Sequence, residues 1–315
     1  MTDPAALSES TKRQPFSWQK SWPYFLIIPA IVLELIVHII PMAVGIYMST
    51  KEISVRNIVR FWELPIVFPD NYVEVLDQST VMGQEFRTAL VHSIVYAVLV
   101  TAACWFLGFW AGVFLHRKFR GRAFLRTLFL VPYALPAFAG IIVWRFMLQS
   151  DNGMVNDVLV NVTGVLDEAP FWLIGDASFW SMTVVRIWIM WPFAFLMMLA
   201  AMQSVSDDLY QAAEIDGASP WQQVRRITFP LLLPVSFVVC LVIFLWTFND
   251  FTTPFVLFGK NSPEEAELVP SYLYRASFAQ FRFGEGAAAS TLLLVAMVAI
   301  AVLTTSLRRR SRGNA

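Results

Sequence analysis

The sequence predicts an all-α polytopic membrane protein with six transmembrane helices and a short polar helix–turn–helix between the fourth and the fifth. Three observations predict it. The chain of 315 residues is 57% hydrophobic and 15% charged, with a mean hydropathy of +0.59, whereas soluble domains run nearer a quarter charged. Several apolar runs reach the roughly 20 residues that a helix needs to cross a hydrocarbon core. The last two long runs lack the two-residue alternation of barrel strands, so helices fit better than strands. Lys and Arg, finally, are distributed unevenly between alternate loops.

In chain order, residues 1–22 are polar and read as a disordered tail. Residues 23–307 form the membrane domain. Its spans are predicted at Tyr24–Met48, Ala89–Leu115, Thr127–Leu148, Ser181–Met202, Leu231–Leu257 and Ala287–Leu307. The first run is too long for a signal-peptide core and no small-residue cleavage site follows it, so it is expected to be retained. Residues 308–315 form a basic tail. With the N-terminus inside, the inner segments carry 14 Lys and Arg: Lys12, Arg13, Lys20, Arg117, Lys118, Arg120, Arg122, Arg126, Arg225, Arg226, Arg308, Arg309, Arg310 and Arg312. The longer outer segments carry 7, namely Lys51, Arg56, Arg60, Arg87, Lys260, Arg275 and Arg282. The positive-inside rule therefore places both termini in the cytoplasm. The outer loops, with Trp62, Tyr72, Phe171 and Trp172, read first as interfacial aromatics and more sharply as a docking surface for an outside partner. Asn161-Val162-Thr163 matches a glycosylation sequon that nothing else supports.

Composition excludes several functions. A formal charge of zero gives no nucleic-acid footprint. Cys104 and Cys240 lack metal-ligand spacing and read as small buried apolar residues. His38, His92 and His116 are scattered, so no metal site, nucleophile–base pair or other catalytic residue can be proposed. No GxxxxGK[ST] loop is present, so this chain is expected to bind no nucleotide or other cofactor. A secondary transporter or channel is disfavoured by the lack of an inverted repeat and of a chain of intramembrane carboxylates.

The most informative stretch is the polar insert Gln203–Phe229. Ser204 or Ser206 can cap a short helix whose first turn holds Asp207 and Asp208, well placed against the helix dipole. Leu209, Ala212 and Ala213 follow at helical spacing, then Glu214 and Asp216. Gly217 is the expected stop, since a left-handed residue costs glycine nothing. Ser219, Pro220 and Gln222 read as a new N-cap, first helical position and capping-box partner. Trp221, Val224 and Ile227 share one side of this second helix and Arg225 and Arg226 the other. Pro230 is expected to break it, so that Leu231 starts the fifth span. An ordinary amphipathic interfacial loop is the bland alternative.

Gln211-Ala212-Ala213, Gly217, Ile227 and Pro230 resemble the EAA-loop of permease subunits of binding-protein-dependent ABC importers. The run Ala213-Glu214-Ile215-Asp216-Gly217-Ala218-Ser219, followed by Trp221, resembles the carbohydrate-uptake branch that contains the maltose-transporter permeases. The resemblance extends over Tyr24–Leu307, through Pro29, Pro41, Pro132-Tyr133, Trp191-Pro192-Phe193 and Phe248-Asn249-Asp250-Phe251. It implies an inner-membrane subunit of a bacterial or archaeal ABC transporter for sugars, itself without enzymatic activity. It implies a second permease, two ATPase subunits that hold ATP and Mg, and an extracytoplasmic binding protein. It makes residues 204–230 the coupling loop, with Gln211, Ala212, Ala213, Glu214, Asp216, Gly217 and Ala218 facing the ATPase. Two departures stand out: Gln211 replaces the family's glutamate, and Phe229 replaces its leucine before Pro230.

Polar residues at membrane depth invite a functional reading. Trp246, Phe248, Asn249, Asp250 and Thr253 offer hydroxyl-bonding groups beside aromatic faces, as a sugar requires. In relatives of the maltose type, positions matching Asn249 and Asp250 lie near the substrate. A solvated Asp250 at the outer mouth is the bland alternative. Arg186, beside Trp188 and Trp191, can snorkel, pair with Asp250, or meet an anionic substrate such as a phosphorylated glycerol. Arg145 reads as an interface anchor. The small-residue run Gly286–Ser290 permits close helix packing, and Ser290 is expected to face the pathway. A membrane scaffold or sensor with a non-ATPase partner is the remaining alternative.

Overall fold

The computed structural model describes residues 18–313 of the chain, with side chains described for residues 25–303. Fourteen α-helices are present among them. Lys12, Arg13 and the rest of the predicted tail up to position 17, and positions 314–315, lie outside the described residues. Positions 18–22, expected in the tail, are helical instead: α1 spans Trp18–Glu34 and α2 spans Ile40–Met48. A π turn, Leu35–Ile39, joins them and ends two residues before Pro41. Five helical stretches are long and apolar enough to cross a membrane: Phe25–Met48, Val81–His116, Asp176–Gln203, Pro220–Phe248 and Phe283–Leu303.

The remaining predicted span is bent. Thr127–Leu148 was expected as one helix, but α5 (Arg122–Ala134) and α6 (Ala137–Met147) meet at 89°. Leu135 is extended there, φ −78° and ψ 143°, because a proline disfavours helical geometry in the residue before it, here Pro136. The fifth predicted span, Leu231–Leu257, is likewise interrupted: α11 (Phe229–Phe248) ends before Asn249, and α12 (Thr252–Phe258) follows. Pro254 explains the stop, since its ring would crowd the carbonyl four residues back.

The 36-residue α4 (Val81–His116) is the axis of the fold. Its most extensive partner is α8 (Asp176–Gln203). Gly108 lets the two backbones touch: a Cβ there would lie 2.6 Å from the carbonyl carbon of Ala194, so only glycine fits this crossing. One core fills the space between α4, α8 and α11, around Tyr96, Val100, Met182, Val185 and Ile243. A second core lies on the other side of α4, against α3 (Asp70–Leu76), α13 (Val269–Tyr274) and α14 (Phe283–Gly313), around Phe86, Phe248, Tyr272 and Leu293.

The loop segments between spans are ordered by polar ties. Arg275 donates to Glu267 at 2.7 Å and to Glu85 at 3.0 Å. The Glu267 hydrogen bond, with help from Glu85 and against burial, holds the Arg275 proton more firmly than usual. Asn156 accepts from Trp172 Nε1 at 2.6 Å. Asn161 of the sequon donates to Asp157 at 2.9 Å. The first span contrasts with all of this. Every residue from Phe25 to Ala43 is exposed, and none belongs to a core cluster.

Candidate functional site

The break between α11 and α12 gathers one group of the residues singled out from sequence. Asp250 is buried, its side chain 2% exposed. Its Oδ1 accepts from the backbone N–H of Thr253 at 3.0 Å, which steadies the first turn of α12. Its Oδ2 accepts from the Tyr96 hydroxyl at 2.9 Å and lies 3.4 Å from Nε of Arg186. The Arg186 guanidinium also donates to the Trp246 carbonyl at 3.2 Å, at the C-terminal end of α11. One carboxylate thus ties α4, α8, α11 and α12 together at the point where the helix is interrupted. The expected pairing of Arg186 with Asp250 is present, and the solvated Asp250 of the bland reading is not.

The groups around this knot separate by exposure. Trp246 is 47% exposed, and Asn249, one turn further, is also exposed. Trp246 packs 5.1 Å from Phe193, which lies 6.1 Å from Tyr133. An aromatic platform with an adjacent carboxamide results, beside the neutralised ion pair. Thr253 is fully buried under it. Arg145, expected as an interface anchor, donates to the Val256 carbonyl at 3.2 Å and fastens α12 to α6. Two residues expected in the pathway lie apart from this group. Trp188 turns toward α6 and meets Trp144 edge-on at 5.8 Å. Ser290 donates to the Gly286 carbonyl at 2.8 Å and lies in a groove of about 370 Å³ with Met42 and Ser277, between α2 and α14. At helical spacing of 3.6 residues per turn, one apolar face looks like another, and neither residue carried a partner signal. Tyr96 was missed for the same reason. Phe193 and Tyr133 stood in the Trp191-Pro192-Phe193 and Pro132-Tyr133 motifs and were legible as aromatics, though not as a platform.

The second group forms the hairpin. Ser206 caps α9 (Asp207–Ile215), accepting from Asp208 N–H at 3.2 Å, with Asp207 and Asp208 in the first turn. Gly217 is left-handed, φ +78°. The N–H of Ala218 bonds back to Ala213 at 2.9 Å and that of Gly217 to Glu214 at 3.0 Å, the two bonds of a Schellman turn. Ser219 and Gln222 form a capping box at the start of α10 (Pro220–Gln223). These features match expectation. The exit does not: Pro230 does not break the second helix. A π turn, Val224–Thr228, carries α10 into α11 without interruption. The wider turn places the proline ring clear of the preceding coil.

The hairpin is fixed to the bundle and open at its tip. Trp221 stacks on Trp110, 5.8 Å apart and 8° from parallel. Tyr210 and Thr228 share a hydroxyl–hydroxyl hydrogen bond of 3.0 Å. Gln211, Ala212, Glu214, Asp216 and Gly217 are exposed, Ala213 and Ala218 partly so. Ile215, which the helical pattern did not single out, is 88% exposed between them.

A bundle of apolar helices with one broken at a buried ion pair and one extended by a fixed polar hairpin defines a polytopic membrane permease. The family model of the binding-protein-dependent transport system inner membrane component matches residues 105–312, and the chain belongs to that family. It is 30% identical over 295 residues to a probable ABC transporter permease protein of Brucella abortus, covering 93% of this chain and 98% of the relative. It is 28% identical over 292 residues to the trehalose/maltose transport system permease protein of Thermococcus litoralis, covering 92% and 94%. A bacterial alginate ABC transporter, solved in complex with an alginate pentasaccharide-bound periplasmic protein, superposes on 93% of this chain and 96% of its own with a TM-score of 0.77 at 20% identity, a likeness of fold.

Proposed function

We propose that this chain is one transmembrane subunit of an ATP-driven ABC importer, forming half of the pathway for an uncharged sugar or oligosaccharide delivered by an extracytoplasmic binding protein. The observation that carries the reading is the hairpin. An 88% exposed isoleucine beside a left-handed glycine, on helices capped at three ends and stacked onto α4, is a rigid knob rather than a flexible connector. Such a knob transmits force only if another protein grips it. The gripping partner is a cytoplasmic ATPase, of which the importer has two, each holding ATP and Mg. Glu214 and Asp216 supply the charge that Gln211 lacks. The bent pair α5–α6 counts as the sixth span, and both termini face the cytoplasm.

The naked first span supports a second permease subunit. A span exposed at every position from Phe25 to Ala43 fits a site on a neighbouring subunit. Substrate meets Trp246, Phe193, Tyr133 and Asn249, where a ring C–H face stacks on the aromatics and hydroxyls bond the carboxamide. Similarity to the trehalose/maltose transport system permease protein supports that class. An anionic polyol has less support, because Asp250 already balances the charge of Arg186.

The coupling role is tested by Gly217→Asp, which puts a side chain at a left-handed position and adds a charge at the knob. Uptake and stimulated ATP hydrolysis are expected to vanish while membrane insertion and yield stay normal. Wild-type uptake at wild-type abundance would refute the role.

A further inference from the structure

We propose that the cleft between the α4–α5 turn and α9 is a binding site for a phosphate-bearing anion. The cleft has a volume of about 600 Å³. Arg117, Lys118, Arg122 and Arg126 line one wall, and the opposite wall on α9 contributes Asp207, Tyr210 and Glu214. Among the described residues, none of the four cations is within ion-pair distance of a carboxylate. Topological anchors need only lie near a membrane surface; these four line one cleft.

Local geometry explains how the cations are held without being neutralised. Arg126 donates one guanidinium N–H to the Leu115 carbonyl at 2.7 Å, and Arg122 reaches the His116 carbonyl at 3.5 Å. The two arginines, one turn apart on α5, thereby cap the last carbonyls of α4. Their other donors remain, and the Nε of Arg126 is buried without a partner. A buried guanidinium donor with no acceptor is costly and calls for an anionic oxygen. A phosphate presents several such oxygens and can take bidentate contacts from Arg while Lys118 supplies a point charge. Two sources share this chemistry, an anionic phospholipid headgroup and a free phosphate. Because α9 forms one wall, occupancy braces the hairpin against α4 and α5. The site rests on the proposed orientation only for which leaflet or compartment supplies the anion.

The test uses the purified, delipidated full chain in detergent, where orientation plays no part. Native mass spectrometry reads retention of phosphatidylglycerol against phosphatidylcholine, and thermal unfolding reads stabilisation by millimolar inorganic phosphate. Arg117→Gln with Lys118→Gln, both exposed and making neither of the carbonyl contacts of Arg122 and Arg126, is expected to cut retention or the phosphate affinity by about tenfold or more, each surface cation contributing severalfold. Arg122→Gln with Arg126→Gln gives the same loss. Arg225→Gln with Arg226→Gln, equally basic but outside the cleft, leaves binding unchanged. Selective loss of phosphatidylglycerol supports a lipid source, and selective loss of phosphate stabilisation a soluble one. Equal binding by wild type and cleft variants, or equal loss in the Arg225 and Arg226 control, overturns the site and leaves the orientation untouched.

Discussion

Removing the Asp250 carboxylate would leave the Arg186 guanidinium, with only 11% of its side chain exposed, without a counter-charge. Breaking one half of such a pair costs about 3–5 kcal/mol, more than the pair itself contributes. Asp250→Ala is therefore expected to lower the unfolding midpoint in detergent sharply. Arg186→Ala with Asp250→Ala should recover much of that loss, because no buried charge is then orphaned. A double variant as unstable as the sum of the singles would show that the two side chains do not act as a pair. Two residues away on α8, Trp188 faces a different neighbour altogether. Residue identity announced that Arg186 and Asp250 needed partners in apolar surroundings; only packing revealed that Tyr96 is the third member.

At the scale of the element, the contact of α4 with α8 depends on a missing side chain. Gly108→Leu puts a Cβ into the Ala194 backbone, 2.6 Å from its carbonyl carbon. Overpacking of this kind costs about 1–3 kcal/mol and separates the helices. The expected outcome is a lower thermal midpoint with the hairpin variants' behaviour unchanged, and a midpoint equal to wild type would remove the close crossing. Most helices were legible because apolar runs of membrane length have few other fates. The hairpin was legible down to its caps, since Ser206, Gly217 and Ser219-Pro220-Gln222 each perform a local task that no other residue type does as well. The breaks were less so. Leu135-Pro136 carried the signal for the 89° bend, and it was submerged in a hydrophobic run. Pro230 carried a break signal that the π turn cancelled. That Ser290 lies apart from Asp250 was not legible, because composition says that a small residue is near a helix, and not which helix.

For the molecule as a whole, three cores share α4, and among the described residues α1 joins none of them. Leu33 and Ile36 are 62% and 57% exposed on α1 and its π turn. Truncating them, Leu33→Ala with Ile36→Ala, is expected to leave the thermal midpoint of the isolated chain unchanged. Co-purification of a second permease should weaken, each apolar anchor contributing more than about 1 kcal/mol to association. A fall in the isolated chain's own midpoint, with assembly intact, would show that α1 packs on its own subunit instead.

Two of the π turns, Leu35–Ile39 before Pro41 and Val224–Thr228 before Pro230, have a geometric corollary. Each inserts one residue beyond the α-helical count, which turns everything on its far side by about 100° around the axis, since a full revolution takes 3.6 residues. The azimuth of the hairpin relative to α11 is therefore set by a single surplus residue, indexed by a proline. A chain shortened by one residue there would keep every cap and every apolar position, yet aim its knob at the wrong quadrant.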